Sequence, residues 1–334
     1  MLVTGPNGAG KTNLLEALHV GSQGFSPRTR AEPQLVRFGE RAAQVRVRGE
    51  EGGSPVETEV TIAPGEGKRV RLNGAPVPSP EVLRARLAAL VFTPDRLAVV
   101  KGGPVVRRAY IDRMLGRVFP AHASLPGEYG RAVTQRNEAL RRVRSGRSTR
   151  AALEPWTRQV AELGDDLDRR RADLVGLLAA PFASHAEVFG LSYASLTYEA
   201  RGLSAEELDS CLERDLERGT TGAGPHLRDV EIRAAGRDLR GFGSQGEQRI
   251  GVLALLLAEA QGLADRRTSP PLLLLDDVFS ELDERRRSAL LERLPSDGQT
   301  VVTATSATFL PPGAEPALVL QVRREAELSR VKAA

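Results

Sequence analysis

Alternating apolar and polar residues occupy much of the first hundred positions and predict β-strands. From residue 45 to residue 77 the two kinds of residue alternate, as in short strands with one buried face. Within this stretch Asn73-Gly74 predicts a tight hairpin turn, because both residue types tolerate positive φ. Leu87–Phe92 is a continuous apolar run that stops before Thr93-Pro94-Asp95, and we expect a buried strand there.

The spacing of apolar residues becomes helical near residue 104, as Leu163, Leu167 and Leu174 illustrate. This spacing predicts three or four helices up to residue 189, with a break at residues 145–148. Further along, we predict a strand over Leu191–Glu199, a helix over Ala205–Arg218 and a final block of strands and helices from Gly219. The chain is therefore expected to be an α/β protein in three parts, residues 1–103, a helical lobe over 104–189, and residues 190–334.

Composition narrows the class of protein without naming a function. The 334 residues are 41% hydrophobic and carry a net charge of +4, which permits contact with nucleic acid but does not require it. The single Cys211 cannot form an internal disulfide, and this fits a reducing, cytoplasmic location. No apolar run approaches the roughly 20 residues of a membrane span, so the chain is not expected to enter a membrane.

A phosphate-binding loop stands close to the start of the chain. The stretch Gly5-Pro6-Asn7-Gly8-Ala9-Gly10-Lys11-Thr12 has the form G-x-x-x-x-G-K-[ST]. Its glycines let several N–H groups face one anion, and the following helix directs its positive end to the same place. We expect Lys11 to reach the β- and γ-phosphates of ATP and the Thr12 hydroxyl to bind Mg²⁺.

Only Met1–Thr4 precede this loop. A phosphate-binding loop normally follows a buried parallel strand, and four residues make at most one short strand. We therefore expect the natural protein to begin upstream of Met1.

Two carboxylates follow a second apolar run, Pro271–Leu275, which has the length of a buried parallel strand. Ligands of open α/β sheets bind at the carboxyl ends of such strands. We expect Asp276 to hold Mg²⁺ and Asp277 to orient or deprotonate an attacking water. Lys11 and Asp277 are thus the predicted catalytic residues.

Two further segments are either helix caps or parts of a nucleotide site. Ser280-Glu281-Leu282-Asp283 precedes a charged helix, and Asp283 after an acidic strand has the order found in ATPases of the ABC/SMC type. Gly243-Ser244-Gln245-Gly246 precedes an apolar helix, where N–H groups and the helix dipole favour an anion. One chain does not need two phosphate-binding sites for one nucleotide, so the second site is expected to bind the nucleotide held by another copy. The residues predicted to contact the nucleotide in such an ATP-dependent homodimer are Ser244, Gln245, Gly246 and Asp283.

The order of these motifs resembles the RecF family of bacterial recombination-mediator ATPases, of the ABC/SMC class. The resemblance covers nearly the whole chain. It rests on GPNGAGKTNLLEAL from Gly5, FTPDRL from Phe92, KGGPVVRRAYID from Lys101, TQRNEAL from Thr134, TTGAGPH from Thr220, GSQGEQR from Gly243 and LLLLDDVFSELD from Leu272. Each middle motif is weak alone, and the set in this order is specific.

The resemblance implies an ABC-type ATPase head, a mixed sheet with helices, built from both ends of the chain with a helical arm inserted between them. It also implies ATP and Mg²⁺ as cofactors and binding to single-stranded or gapped DNA. The expected role is in DNA replication and repair, with recombinase loading at gaps, SOS induction and recombination mediator proteins as partners.

Some positions depart from the family or from related ATPases. In Gly224-Pro225-His226-Leu227-Arg228-Asp229 the family's basic residue is displaced by one position. The strand Thr300–Thr305 carries Thr where transporter ATPases carry a switch His, and Asp277 replaces their longer Glu. No Gln occupies the place of the loop that senses the metal, where Thr93-Pro94-Asp95 stands. We therefore expect slow hydrolysis.

Three other functions remain open from the residues. A transporter ATP-binding subunit would not carry so large a helical insertion or lack the switch His. An SMC-like structural head would need long heptad arms, which the sequence lacks. The third alternative is a DNA-binding module that binds ATP without hydrolysing it.

Several single residues have both a structural and a functional interpretation. His226 either contacts nucleotide or DNA or fixes a turn, and Trp156 either lies in the core or stacks on a base. Arg107 and Arg108, at a helix start, either contact phosphate or lie on an exposed charged face. Arg136 with Asn137 serves either packing of the helical lobe or DNA binding. A basic cluster either binds phosphates or forms a solvated helix face, and it comprises Arg141, Arg142, Arg144, Arg147 and Arg150.

Overall fold

The computed structural model describes residues 1–29, 31–51, 53–77, 83–84, 87–267, 269–326 and 328–333. These residues form two compact units. The first unit comprises Met1–Leu97, Val188–Gly190 and Val252–Ala334, and the second comprises Ala98–Glu187 and Leu191–Gly251. The expected helical lobe of residues 104–189 lies almost entirely within the second unit, which also takes in residues 191–251.

Thirteen strands and ten helices are described. The strands are β1 (Leu2–Thr4), β2 (Ala43–Glu51), β3 (Ser54–Ala63), β4 (Gly67–Leu72), β5 (Ala75–Pro76), β6 (Ala89–Phe92), β7 (Ser195–Tyr198), β8 (Val230–Ala234), β9 (Arg237–Asp238), β10 (Leu272–Leu275), β11 (Thr300–Ala304), β12 (Val319–Glu325) and β13 (Leu328–Ala333). The α-helices are Lys11–Gln23, Ala98–Lys101, Pro104–Val118, Leu125–Arg144, Glu154–Val188, Ala205–Ser210, Leu212–Arg218, Leu239–Phe242, Gln245–Ala264 and Glu284–Arg293.

The first unit contains a six-stranded sheet in the order β13-β12-β1-β11-β10-β6. All its pairings are parallel except that of β12 with β13. The central strands are short and apolar because both faces of the sheet are covered, and Val3, Leu274 and Val301 lie in one buried cluster. Strand β11 lies between β1, which leads into the phosphate-binding loop, and β10, which leads into the acid pair. Parallel strands present their carboxyl ends at one edge, so loop and acids meet there.

A second sheet of the first unit, β2-β3-β4-β5, is antiparallel. Its hairpin turns at Asn73 and Gly74, which have φ of 50° and 81°, and this confirms the predicted turn. The sheet packs on the helix Lys11–Gln23, where the Thr58 hydroxyl donates to the carbonyl of Gly21 at 2.7 Å. A Cβ at Gly21 would collide with the side chain of Val47, so glycine permits this close approach.

The second unit has three long helices, Pro104–Val118, Leu125–Arg144 and Glu154–Val188, and the predicted break at residues 145–148 falls between the last two. A small antiparallel sheet, β7-β8-β9, completes it. The strand predicted over Leu191–Glu199 is shorter, since only Ser195–Tyr198 pairs with β8. The helix predicted over Ala205–Arg218 was wrong as one element: it is divided at Cys211, whose N–H turns tightly to the carbonyl of Leu208 at 3.3 Å.

Candidate nucleotide site

The phosphate-binding loop joins β1 to the helix Lys11–Gln23 and is closely packed on its inner side. A Cβ at Gly5 would collide with the carbonyl oxygen of Val322, and one at Gly10 with the hydroxyl of Ser329. Gly10, the helix N-cap, has φ of 105°, and Gly8 has φ of 77° with open space around it. Neighbouring strands and backbone shape therefore both require glycines here, which leaves the loop N–H groups free of side-chain cover.

Lys11 lies beneath this loop and is only 8% exposed. Its Nζ atom donates to the carbonyl oxygens of Gly5 at 2.8 Å and Pro6 at 3.1 Å. These bonds hold the ammonium group inside the curve of the loop. The single cation of the motif is thus held within the loop that is predicted to bind phosphate.

Asp276, at the carboxyl end of β10, is 6% exposed and accepts hydrogen bonds from two hydroxyl groups. Thr12 Oγ1 lies 2.9 Å from Oδ2 and 3.1 Å from Oδ1 of Asp276. Thr303 Oγ1 on β11 donates to Oδ1 at 2.7 Å. The structure therefore joins the two predicted magnesium ligands directly and adds a third residue that the sequence analysis did not assign to the site.

Asp277 has an unusual backbone, with φ of 50° and ψ of 29°. Its N–H donates to Thr303 Oγ1 at 2.9 Å, and its carbonyl accepts from the Ser280 hydroxyl at 2.8 Å. Asp tolerates this left-handed conformation better than most residues. Its Oδ1 atom is buried, and none of the described residues offers that atom a hydrogen-bond partner. The carboxylate thus retains an acceptor for a ligand or water.

A cleft of about 300 Å³ brings these groups together. Its lining comprises Asn7, Gly8, Gly10, Lys11, Thr12, Asn13, Arg28, Asp276 and Asp277. Arg28 was missed by sequence reasoning, because it lies in a segment without a recognisable motif. Its Nη1 atom pairs with Glu16 Oε2 at 3.2 Å, which holds a second cation at the cleft.

The donor set fits magnesium. A hydroxyl and a carboxylate oxygen are hard ligands, and Mg²⁺ in phosphoryl-transfer sites usually takes one or two carboxylates together with water and substrate phosphates. No group of three or more His, Cys, Asp or Glu side chains forms a metal cage in the described ranges. Thr12 and Asp276 would hold the ion, which would neutralise phosphate charge.

Comparison with known proteins identifies the family. The model of the RecF/RecN/SMC N terminal domain matches residues 1–326. The DNA replication and repair protein RecF of Heliobacterium modesticaldum is 35% identical over 321 residues, which cover 91% of this chain and 86% of that protein. This chain belongs to the RecF family. The family member from Frankia alni is 36% identical over 335 residues, covering 92% and 88% of the two chains.

Solved structures agree with this membership and confirm the predicted fold class. The recombination mediator protein RecF-ATP in the RecFOR pathway has a TM-score of 0.85 and 26% identity, covering 99% of this chain and 91% of that one. An SmcHead structure has a TM-score of 0.59 at 16% identity and shows the shared head fold. The chain is thus a P-loop ATPase head of the ABC/SMC type. Across the described part of the chain, no helix is long and apolar enough to cross a membrane.

The remaining predicted nucleotide contacts of this RecF-family chain form helix caps. Ser244 and Glu247 make a reciprocal cap: the Ser244 N–H donates to Glu247 Oε2 at 2.7 Å, and the Glu247 N–H to Ser244 Oγ at 3.2 Å. The Ser244 backbone bond lowers the pKa of Glu247. Ser244, Gln245 and Gly246 are exposed in the second unit. Asp283, in the first unit, accepts from the Arg286 N–H at 2.9 Å, so in both places a side chain caps the helix N-terminus.

Arg136 and Asn137 serve packing. Arg136 is fully buried, and its Nη1 atom donates to Asp215 Oδ2 at 2.7 Å and to Thr221 Oγ1 at 3.0 Å. Asn137 Oδ1 accepts from the Thr221 N–H at 2.7 Å. His226 is held between Tyr129 and the Thr221 carbonyl. The TTGAGPH segment of this RecF-family chain is therefore fixed by buried polar contacts.

Two arginines expected on an exposed face are also structural. Arg107 is 5% exposed and forms a two-pronged ion pair with Asp229, which raises the pKa of Arg107. The interpretation of Arg107 as a solvated or phosphate-binding residue was wrong, because Asp229 occupies its guanidinium. Arg108 Nη1 donates to the Arg228 carbonyl at 3.0 Å. The displaced Arg228 itself pairs with the fully buried Asp168.

The basic cluster at the end of the second long helix and just beyond it makes contacts with neighbouring residues. Arg141 and Arg142 contact Glu138, Arg144 donates to the carbonyl of Glu217, Arg147 donates to Ser145, and Arg150 pairs with Glu213. Such exposed pairs are weak and would open readily for a stronger anion. Trp156 is half-buried, between its two expected environments.

Proposed function

We propose that this chain is an ATP-dependent DNA-binding protein of replication and repair, which uses slow ATP hydrolysis to control pairing with a second copy. The observation that carries the proposal is the hydrogen bond from Thr12 to Asp276. It joins the phosphate-binding loop to the acid strand in one cleft, and that combination is specific to nucleoside triphosphate chemistry.

Within this cleft each residue has a distinct task. The loop N–H groups and Lys11 bind the β- and γ-phosphates. Thr12 and Asp276 hold Mg²⁺, which when bound offsets charge on the phosphate oxygens. Asp277, with its buried acceptor Oδ1, orients the attacking water and accepts its proton. Its side chain is shorter than the Glu of transporter ATPases, which supports slow turnover.

The dimer is proposed from the two exposed helix ends. Ser244–Gly246 lie at a helix N-terminus where N–H groups and the helix dipole favour phosphate oxygens, and Asp283 caps a second exposed helix end after the acid pair. One cleft already supplies a complete phosphate cradle, so a second one in the same chain suits the nucleotide of a partner copy. ATP would then hold two copies together, and hydrolysis would release them.

The DNA role is carried over from the relatives. Curated proteins about 35% identical over some nine-tenths of the chain are named DNA replication and repair protein RecF. A solved neighbour is a recombination mediator in the RecFOR pathway. We propose the same setting here: cytoplasmic, on single-stranded or gapped DNA, with recombination mediator proteins as partners, and assisting recombinase loading and SOS induction.

Titration of ATP with Mg²⁺ into the wild type and a Lys11→Ala variant tests the nucleotide site. We expect the variant to bind at least tenfold more weakly, because it loses the buried cation of the loop. Lys101→Ala is the matched control, since Lys101 is exposed and outside the cleft. Equal ATP affinity of the wild type and Lys11→Ala would refute the proposed nucleotide site.

Sedimentation with and without ATP tests the pairing, and gapped-DNA binding with ATP, ADP or no nucleotide tests the coupling. We expect a dimer only with ATP. DNA should also bind more tightly with ATP than with ADP or without nucleotide. A monomer under every nucleotide condition would refute ATP-dependent pairing. DNA affinity that is the same with ATP, ADP and no nucleotide would refute the coupling between ATP and DNA binding.

A further inference from the structure

Thr303 occupies the strand that separates the two halves of the nucleotide cleft. It lies on β11, opposite Val3 of β1 in the parallel register, and its neighbour Val302 is opposite Leu275 of β10. The residue is fully buried. It therefore stands at the carboxyl ends of the strands that deliver the phosphate loop and the acids.

The Thr303 hydroxyl makes two hydrogen bonds of opposite direction. It donates to Asp276 Oδ1 at 2.7 Å and accepts from the Asp277 N–H at 2.9 Å. The directions are fixed, because an ionised carboxylate can only accept and an N–H can only donate. One hydroxyl thus orients two consecutive acids, the side chain of the first and the backbone of the second.

Both acids need such a support. Asp276 Oδ1 is also approached by Thr12 Oγ1 at 3.1 Å, so the bond from Thr303 holds that carboxylate when the Thr12 oxygen is shared with a cation. Asp277 has a left-handed backbone that a residue with a side chain adopts only with surrounding support. The hydrogen bond from the Asp277 N–H to Thr303, on the neighbouring strand β11, supplies that support.

Packing alone does not require a hydroxyl at this position. Valine has nearly the same shape as threonine and is also favoured in strands, so an apolar residue would fill this position of β11. A buried hydroxyl is retained at a net gain only when its partners need it. Here both partners are residues of the acid pair.

We propose that Thr303 is a positioning residue. Its hydroxyl orients the Asp276 carboxylate for metal binding and holds the backbone of the proposed general base Asp277. The inference rests on the proposed function of the cleft. Carboxylates that ligate a metal are themselves oriented by outer hydrogen bonds, and loss of such a bond typically weakens metal affinity or activity about 10- to 100-fold.

The test compares Thr303→Val, which keeps the shape, with Thr303→Ser, which keeps the hydroxyl. Thr300→Val, on the same strand, is the matched control. Mn²⁺ affinity is measured by electron paramagnetic resonance in the presence of a non-hydrolysable ATP analogue, beside analogue binding in EDTA. We expect Thr303→Val to bind Mn²⁺ about 10- to 100-fold more weakly. Its metal-free analogue affinity, the Thr303→Ser variant and the control should all stay within about twofold of wild type.

Amide hydrogen exchange over residues 276–280 gives a readout that needs neither nucleotide nor metal. Loss of the Thr303 acceptor should speed exchange of the Asp277 N–H in Thr303→Val and leave it unchanged in Thr303→Ser. If Thr303→Val fails to fold, Thr303→Cys replaces it, because a thiol of similar size is a weak hydrogen-bond donor.

The outcomes separate the two proposals. Absence of Mn²⁺-analogue binding by the wild type would defeat the proposed function, while the exchange result would still report on Thr303. Wild-type Mn²⁺ affinity in Thr303→Val would overturn the positioning role. A loss of analogue binding that is equal with and without metal would also overturn it, because that pattern indicates only a damaged fold.

Discussion

Thr12 and Asp276 are 264 positions apart in sequence, yet the hydroxyl of one donates to the carboxylate of the other at 2.9 Å. Thr12 follows β1, and Asp276 follows β10. The bond therefore depends on β11, which sets the two strands at the right separation. It places a hydroxyl and a carboxylate where one cation can contact both.

Replacing Thr12 by Val should weaken nucleotide binding in the presence of Mg²⁺ about tenfold or more, because the metal loses a ligand and Asp276 loses a donor. Thr12→Ser keeps the hydroxyl and should bind like wild type. Calorimetric titration with Mg²⁺ and with EDTA measures both. A Thr12→Val defect of the same size in EDTA would contradict the metal role.

Replacing Asp277 by Asn should lower ATP turnover by about 10² or more, because a general base is removed. Asn also tolerates the left-handed backbone, so ATP affinity and thermal stability should stay at their wild-type values. Phosphate release at saturating ATP is the measurement. Unchanged turnover would show that another group activates the water.

Removal of one partner of the buried Arg136–Asp215 ion pair should strongly destabilise the second unit. Arg136→Met leaves Asp215 buried without its cation, and we expect a loss of about 3–5 kcal/mol in the free energy of unfolding. Arg142→Met removes an exposed pair and should change stability by no more than about 0.5 kcal/mol. Urea unfolding gives both numbers, and a small loss for Arg136→Met would contradict the structural role.

Two glycines of one helix should respond in opposite directions to alanine. Gly176 lies exposed within Glu154–Val188 with open space at its Cβ position, so Gly176→Ala should stabilise by about 0.5–1 kcal/mol. At Gly164 the new methyl would meet Leu203 and Tyr129, and Gly164→Ala should destabilise by about 1–3 kcal/mol. Thermal unfolding distinguishes them, and equal shifts would be inconsistent with this packing.

His226 should make stability depend on pH. Burial lowers the pKa of His226 below the ordinary 6.5, and the charges of Arg108 and Arg171 lower it further. The hydrogen bond that the ring donates to the Thr221 carbonyl acts in the opposite direction. The neutral ring accepts from the Tyr129 hydroxyl, 2.6 Å from Nδ1, and protonation removes that bond. Burial also raises the pKa of Tyr129, so this hydroxyl keeps its proton.

As the pH falls, His226 is protonated at a higher pH in the unfolded chain than in the folded protein. Its contribution to the free energy of unfolding is therefore present above about pH 6.5 and declines as the pH falls below that value. The slope is at most about 1.4 kcal/mol per pH unit. Urea unfolding at pH 7.5 and 5.5 should show a larger loss for wild type than for His226→Gln. Equal losses would contradict the shift.

The parts of the site that lie close together in sequence were predictable, and those assembled by the fold were not. The phosphate loop and the acid pair were found because each is a short motif with its own chemistry. Thr303 was not assigned a role from the sequence, since its role depends on the strand order β1-β11-β10. Arg28 was missed for the same reason: no local pattern shows which cleft it lines.

Helical spacing gave the long helices correctly, but the exposed appearance of Arg107 was misleading. It stands in a charged segment that resembles a solvated face, and its partner Asp229 is 122 positions away. An ion pair over that distance leaves no periodic signal. The single helix expected over Ala205–Arg218 failed differently, because a tight turn at Cys211 alters no residue preference that the sequence displays.

The pairing of β1 has a consequence for the order of synthesis. Leu2 aligns with Val302 on one side and with Val319 on the other, so this apolar strand emerges from the ribosome long before either neighbour exists. Contacts of such long sequence separation form late and slowly. The growing chain must therefore keep β1 out of wrong associations until β11 and β12 have been synthesised, and the cleft beside β1 can form only after that point.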